Sequence, residues 1–88
     1  MKLTDRVRLL IAEMRMDARQ WNMTFILTDI IERYSQQNNV EELSDDVLCR
    51  EAIDNSKLPK IFLEEYLGSK IFRDYIQIRI SEYRRDKQ

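Results

Sequence analysis

Apolar residues at the start of this chain recur at spacings of three and four. Leu3, Val7, Leu10, Met14, Ala18 and Trp21 form one stripe, which Ile11 widens. That period matches an amphipathic α-helix, here over about residues 4–20. The stripe is expected to face the interior, with Arg6, Arg8, Glu13, Arg15, Asp17 and Arg19 toward solvent. Thr4 or Asp5 is the expected N-cap, because a side-chain oxygen there satisfies an orphan backbone N–H. A second run, Ile26, Leu27, Ile30, Ile31 and Tyr34, predicts a helix over 24–36. The apolar direction shifts between Trp21 and Ile26, which favours a break near Asn22–Thr24 over one continuous helix.

Further along, Ser44 precedes Asp45 and Asp46, an N-cap followed by acids that suit the positive end of a helix dipole. A third helix is expected over 45–54. Pro59 and Gly68 bracket a fourth over 59–67, with Ile61, Phe62, Tyr66 and Leu67 on one face. Pro59 fits the first turn, where its missing N–H costs nothing, and Gly68 fits the left-handed position after the last turn.

The segment from Arg73 to Arg85 supports two periods. Ile76, Ile78 and Ile80 alternate with polar residues as in a strand, whereas Phe72, Ile76, Ile80 and Tyr83 line one side of a helix. The helix is favoured: the alternation fails on both sides, no partner strand is evident, and Ser69 supplies a cap for a helix over 70–85. Ile78 then falls about 160° from Ile80 on the wheel. It must be covered by a wrapping neighbour or mark a contact surface.

Composition agrees with helices. The chain has one Gly and one Pro in 88 residues, too few for the turns of a multi-stranded protein. The expectation is an all-α fold, one compact bundle of four to five short helices spanning residues 1–88. Leu, Ile, Val and Phe supply 25 of the 88 residues, and the net charge is −1. Both argue for a folded core. A chain this short buries only about 60–65% of its unfolded surface. Cys49 is the single cysteine and there is no histidine, so neither a disulfide nor a tetrahedral zinc site can stabilise it. Self-association as a homodimer is the remaining route.

The lone thiol and the lack of a signal peptide imply a cytoplasmic protein. No apolar run reaches the roughly 18 residues that cross a bilayer. Charge is segregated: residues 1–23 carry five basic and three acidic side chains, 24–55 two and eight, and 56–88 eight and five.

Catalytic chemistry finds no support. Histidine, a glycine-rich phosphate loop and CxxC are all missing, and no cofactor is implied. Cys49 sits near Asp45, Asp46 and Glu51, which raise a thiol pKa instead of activating it. The expected role is a protein-interaction module, an adaptor or regulator acting on a protein partner of unknown identity through an apolar and aromatic helical surface. Its candidate contacts are Trp21, Phe25, Phe62, Tyr66, Tyr75, Ile78 and Tyr83. The alternative is nucleic-acid binding through a helix-turn-helix-like segment at 44–67 and a basic last helix. Its contacts would be Lys57, Lys60, Lys70, Arg73, Arg79, Arg84 and Arg85, although Glu64 and Glu65 oppose phosphate. The segment IIERYSQQNNVEELSDDVL resembles the helix–turn–helix portion of small phage late-transcription coactivators, which bind RNA polymerase. That resemblance implies, as the alternative, a phage or bacterial transcription regulator reaching RNA polymerase or DNA through 44–67 and the basic last helix. It covers about twenty residues of common types and transfers no site residues.

Overall fold

The computed structural model describes residues 2–87. Five helices follow one another: α1 (Leu3–Arg15), α2 (Ala18–Gln37), α3 (Asp45–Asn55), α4 (Lys60–Gly68) and α5 (Lys70–Asp86). No strand occurs among the described residues.

Helix α5 is the hub, and each of the other four packs against it. This arrangement settles the double period of its sequence. Phe72, Tyr75, Ile76, Ile78 and Ile80 are all buried, as expected of a helix with neighbours on several sides. Ile78 lies one turn beyond Asp74, whose carboxylate meets the Arg8 guanidinium of α1 at 2.9 Å. Helix α1 therefore covers the side that a single core stripe leaves bare. Ser69 caps α5 as its sequence suggests, accepting from the Phe72 N–H at 3.2 Å.

The first two helices divide earlier than the shift in apolar direction implied. Met16 and Asp17 are extended, and Asp17 opens α2. Its carboxylate accepts from the Gln20 N–H at 2.7 Å, while the Gln20 side chain accepts from the Asp17 N–H at 3.1 Å. This reciprocal pair is a capping box. Asn22 and Thr24 lie inside α2, where the Thr24 hydroxyl donates to the Trp21 carbonyl at 2.6 Å. The start of α1 also differs, because its N-cap is Lys2 and no side chain caps it. Helix α2 runs parallel to α5: Gln20 reaches Ser69 at one end and Gln36 reaches Tyr83 at the other.

Ser44 caps α3 by accepting from the Val47 N–H. The turn into α4 places Lys57 at φ 61°, the left-handed region that costs a non-glycine residue about 1–2 kcal/mol. Gly68 does not take that role. It is the last residue of α4 and has no positive φ.

The molecule measures 33 × 31 × 17 Å, a plate barely two helices thick. Its core joins Ala12, Met16, Met23, Leu27, Ile31, Val40, Leu48, Ala52, Ile53 and the α4–α5 aromatics. A plate gives its outer helices one covered side only, so an amphipathic pattern with two apolar sides leaves one exposed.

Candidate interaction surface

Helix α1 has two apolar sides. Leu9, Ala12 and Met16, spaced three and four residues apart, face the core. The stronger stripe, Leu3, Val7, Leu10, Ile11 and Met14, points the other way. Leu3 is 77% exposed, Met14 85%, and the remaining three between 42% and 51%. The sequence expectation is thereby inverted, since the longest apolar stripe of the chain faces solvent. Two contacts fix this rotation. Ala12 is almost fully buried, a small residue that lets helices approach closely. Arg8 reaches Asp74, a carboxylate largely enclosed on α5. The Asp74 carboxyl is pushed up by burial, but hydrogen bonds from Lys70 and Arg8 outweigh this and hold it below its ordinary 3.8.

Five neighbouring large apolar side chains on a single outward face are unusual, because soluble surfaces carry such residues singly. Phe25 (68% exposed) and Ile26 are also exposed on α2, and Ile61 and Leu67 on α4.

The aromatic contacts expected from the sequence fall differently. Phe25 is exposed. Phe62, Tyr66, Tyr75 and Ile78 are buried and leave little surface to offer a partner. Trp21 is half-buried, edge-on to Tyr75 with ring centroids 5.3 Å apart. Tyr83 is half-buried and accepts from Gln36 at 3.1 Å. These rings were candidates because their size suits interfaces; the same size makes them the efficient filling of a small core.

The basic residues do not assemble into one free patch either. Arg84 is committed to Asp45 at 2.8 Å and to the Val40 and Leu43 carbonyls, each at 2.9 Å. Arg73 donates to the Tyr66 and Leu67 carbonyls at the end of α4. Lys70 pairs with Asp74 and Arg79 with Glu82, and Arg79 also lies over the Tyr75 ring. Lys57, Lys60 and Arg85 are exposed. On α4 the exposed neighbours of Lys60 are Ile61, Glu64 and Leu67; the two apolar residues offer no donor or acceptor to a base edge, and the Glu64 carboxylate opposes phosphate.

A partly buried polar cluster joins α3, α4 and α5. The Tyr66 hydroxyl donates to Asp46 at 2.8 Å and accepts from Gln77 at 2.9 Å, and Gln77 also reaches Asp46 at 3.3 Å. Beside it the Cys49 thiol is pushed up to about 12, mainly by burial, with further upward pressure from Asp45 and Asp46 against a Tyr66 hydrogen bond and Arg84. Burial likewise raises Tyr66 itself. A protonated, enclosed thiol and a neutral phenol with satisfied hydrogen bonds are structural groups, not nucleophiles. A cleft of about 530 Å³ lies between the ends of α2 and α5 and is lined by Ser35, Gln36, Val40, Tyr83 and Arg84. No group of three or more potential metal ligands occurs among the described residues, and no helix is long and apolar enough to cross a membrane.

Comparison with protein-family models, curated proteins and solved structures finds no match for this chain. The α1 face is the surface on which a functional reading rests.

Proposed function

We propose that this chain is a non-enzymatic protein-interaction module, a small cytoplasmic adaptor or regulator that binds through the outward face of α1. The observation that carries this reading is the exposure of Leu3, Val7, Leu10, Ile11 and Met14 side by side on one helix. Such a face gains from burial about 25 cal/mol for each Å² of apolar surface removed from water, and an amphipathic partner helix is the natural means of covering it. The helix is held to the body by Ala12, Met16 and the Arg8–Asp74 pair, which leave its opposite face turned outward.

The test compares the intact protein with Val7→Asp and Leu10→Asp variants in capture from a cell lysate at low and high salt. The wild type should retain its protein partners at high salt, and the variants should lose them while keeping their helical circular dichroism. Equal retention by the variants would overturn the reading.

The second reading is a transcription regulator acting through α3, its turn and α4. It is supported by the two short helices joined at left-handed Lys57 with Lys57 and Lys60 exposed. On this reading RNA polymerase is a better target than DNA, given the exposed Ile61, Glu64 and Leu67. Titration with bulk DNA and RNA separates the two readings, because phosphate-driven binding collapses as salt rises.

A further inference from the structure

We infer that the outward face of α1 pairs with the same face of a second copy of this chain, the two α1 helices lying antiparallel. This deepens the interaction reading above and rests on it. Leu3, Val7, Leu10 and Met14 are spaced four, three and four residues apart, the alternation of a two-helix seam. A two-fold axis midway between Val7 and Leu10 sets Leu3 against the partner's Met14 and Val7 against the partner's Leu10. Symmetry repeats both layers, so Leu3, Val7, Leu10 and Met14 each meet an apolar residue of the partner.

Charge decides the orientation. Arg6 and Glu13, two turns apart, lie along the same edge of the stripe, and neither takes part in an ion pair among the described residues. Antiparallel packing brings Arg6 beside the partner's Glu13, and symmetry supplies the second such pair. Along the other edge Thr4 meets the partner's Ile11. Parallel packing would instead set Arg6 beside the partner's Ile11 and leave both charges unanswered.

Area is consistent with a weak dimer. Five partly exposed apolar side chains offer on the order of 100 Å² each, so two copies together bury about 1,000 Å², the lower bound for a specific interface. A lipid surface is disfavoured by the same edges. Glu13 lies on the same edge as Arg6, and Arg8 is tied to Asp74 and Asp5, whereas helices that lie on membranes carry a polar face rich in free Lys and Arg.

The test uses the full chain in sedimentation velocity over a concentration series, with native mass spectrometry of mixtures. The wild type should dimerise in the micromolar range, and Leu10→Asp should stay monomeric throughout. Arg6→Glu and Glu13→Arg should each raise the dissociation constant about tenfold, since attraction becomes repulsion at two edge pairs. Mixing those two single variants should restore wild-type affinity as a heterodimer, because both edge pairs then again join an acid to a base. Failure of the mixture to form heterodimers would overturn the antiparallel pairing. A wild type that stays monomeric would overturn self-pairing; so would one that instead binds anionic phospholipid vesicles through Leu10. If Leu10→Asp still abolishes salt-resistant capture of another protein, the interaction reading survives that failure. If Leu10→Asp changes neither association, both are refuted.

Discussion

Arg84 and Asp45, 39 residues apart, meet at 2.8 Å and tie the last turns of α5 to the first turn of α3. The same guanidinium accepts no substitute easily, because its second nitrogen also donates to the Val40 and Leu43 carbonyls at 2.9 Å. One planar fork thus closes the segment between α2 and α3. Arg84→Met should cost about 1–3 kcal/mol, lowering the melting temperature by about 5–15 °C for a domain of this size. Arg84→Lys should recover little of it, because a point charge cannot reach all three acceptors. Thermal unfolding followed by circular dichroism reads both values, and full rescue by lysine would reduce the contact to simple charge pairing.

Cys49 should be inert in the folded protein. Burial pushes the thiol up to about 12, so it stays protonated at pH 8, and the sulfur is enclosed besides. A thiol-specific reagent should label it on the timescale of unfolding and at once in denaturant. Prompt labelling without denaturant would contradict this packing.

Asp74 makes stability depend on pH in a defined direction. Its folded carboxyl lies below the ordinary 3.8, so the unfolded chain takes up a proton first as pH falls. Its contribution is complete above about 3.8 and disappears as pH drops through the lower folded value. Asp74→Asn should cost on the order of 1 kcal/mol at neutral pH, kept small because Arg8 and Lys70 are well solvated. Urea unfolding across a pH series should show the two proteins converging in acid. A gap that stays constant would assign the cost to packing.

Gly68→Ala should stabilise the chain. The glycine is helical, without positive φ, and a Cβ there meets nothing within 4 Å. Under those conditions alanine gains about 0.4–1 kcal/mol by restricting the unfolded state. A left-handed Gly68, as its place in the sequence suggested, would instead make the substitution destabilising. Denaturant midpoints distinguish the two signs.

The signals legible in the sequence were local ones. Ser44 and Ser69 cap the helices that follow them, and the shortage of glycine and proline foretold an all-α fold, because caps and turns act within a few residues. The Asp17–Gln20 capping box was equally local, and its spacing could have placed the first break correctly. Rotation of α1 was another matter. Its better stripe, Leu3 to Met14, would face the core if hydrophobicity alone decided. The inner face is instead chosen by Ala12, which allows close approach, and by Arg8, whose acid lies far along the chain on α5. Long-range pairing of that kind leaves no trace in periodicity. For the same reason Phe62, Tyr66, Tyr75 and Ile78 could be named as large and apolar but not as interior.

The orientation of α1 is the claim on which the surface, its proposed role and its self-pairing all depend. Thermal unfolding of Leu10→Asp in dilute solution, beside Ala12→Asp, tests it most directly. With Leu10 outward, its variant should melt within a few degrees of the wild type, a surface change of about 0.5 kcal/mol or less, while Ala12→Asp should fail to fold. Collapse of Leu10→Asp with Ala12→Asp tolerated would show that the Leu3–Met14 stripe faces the core.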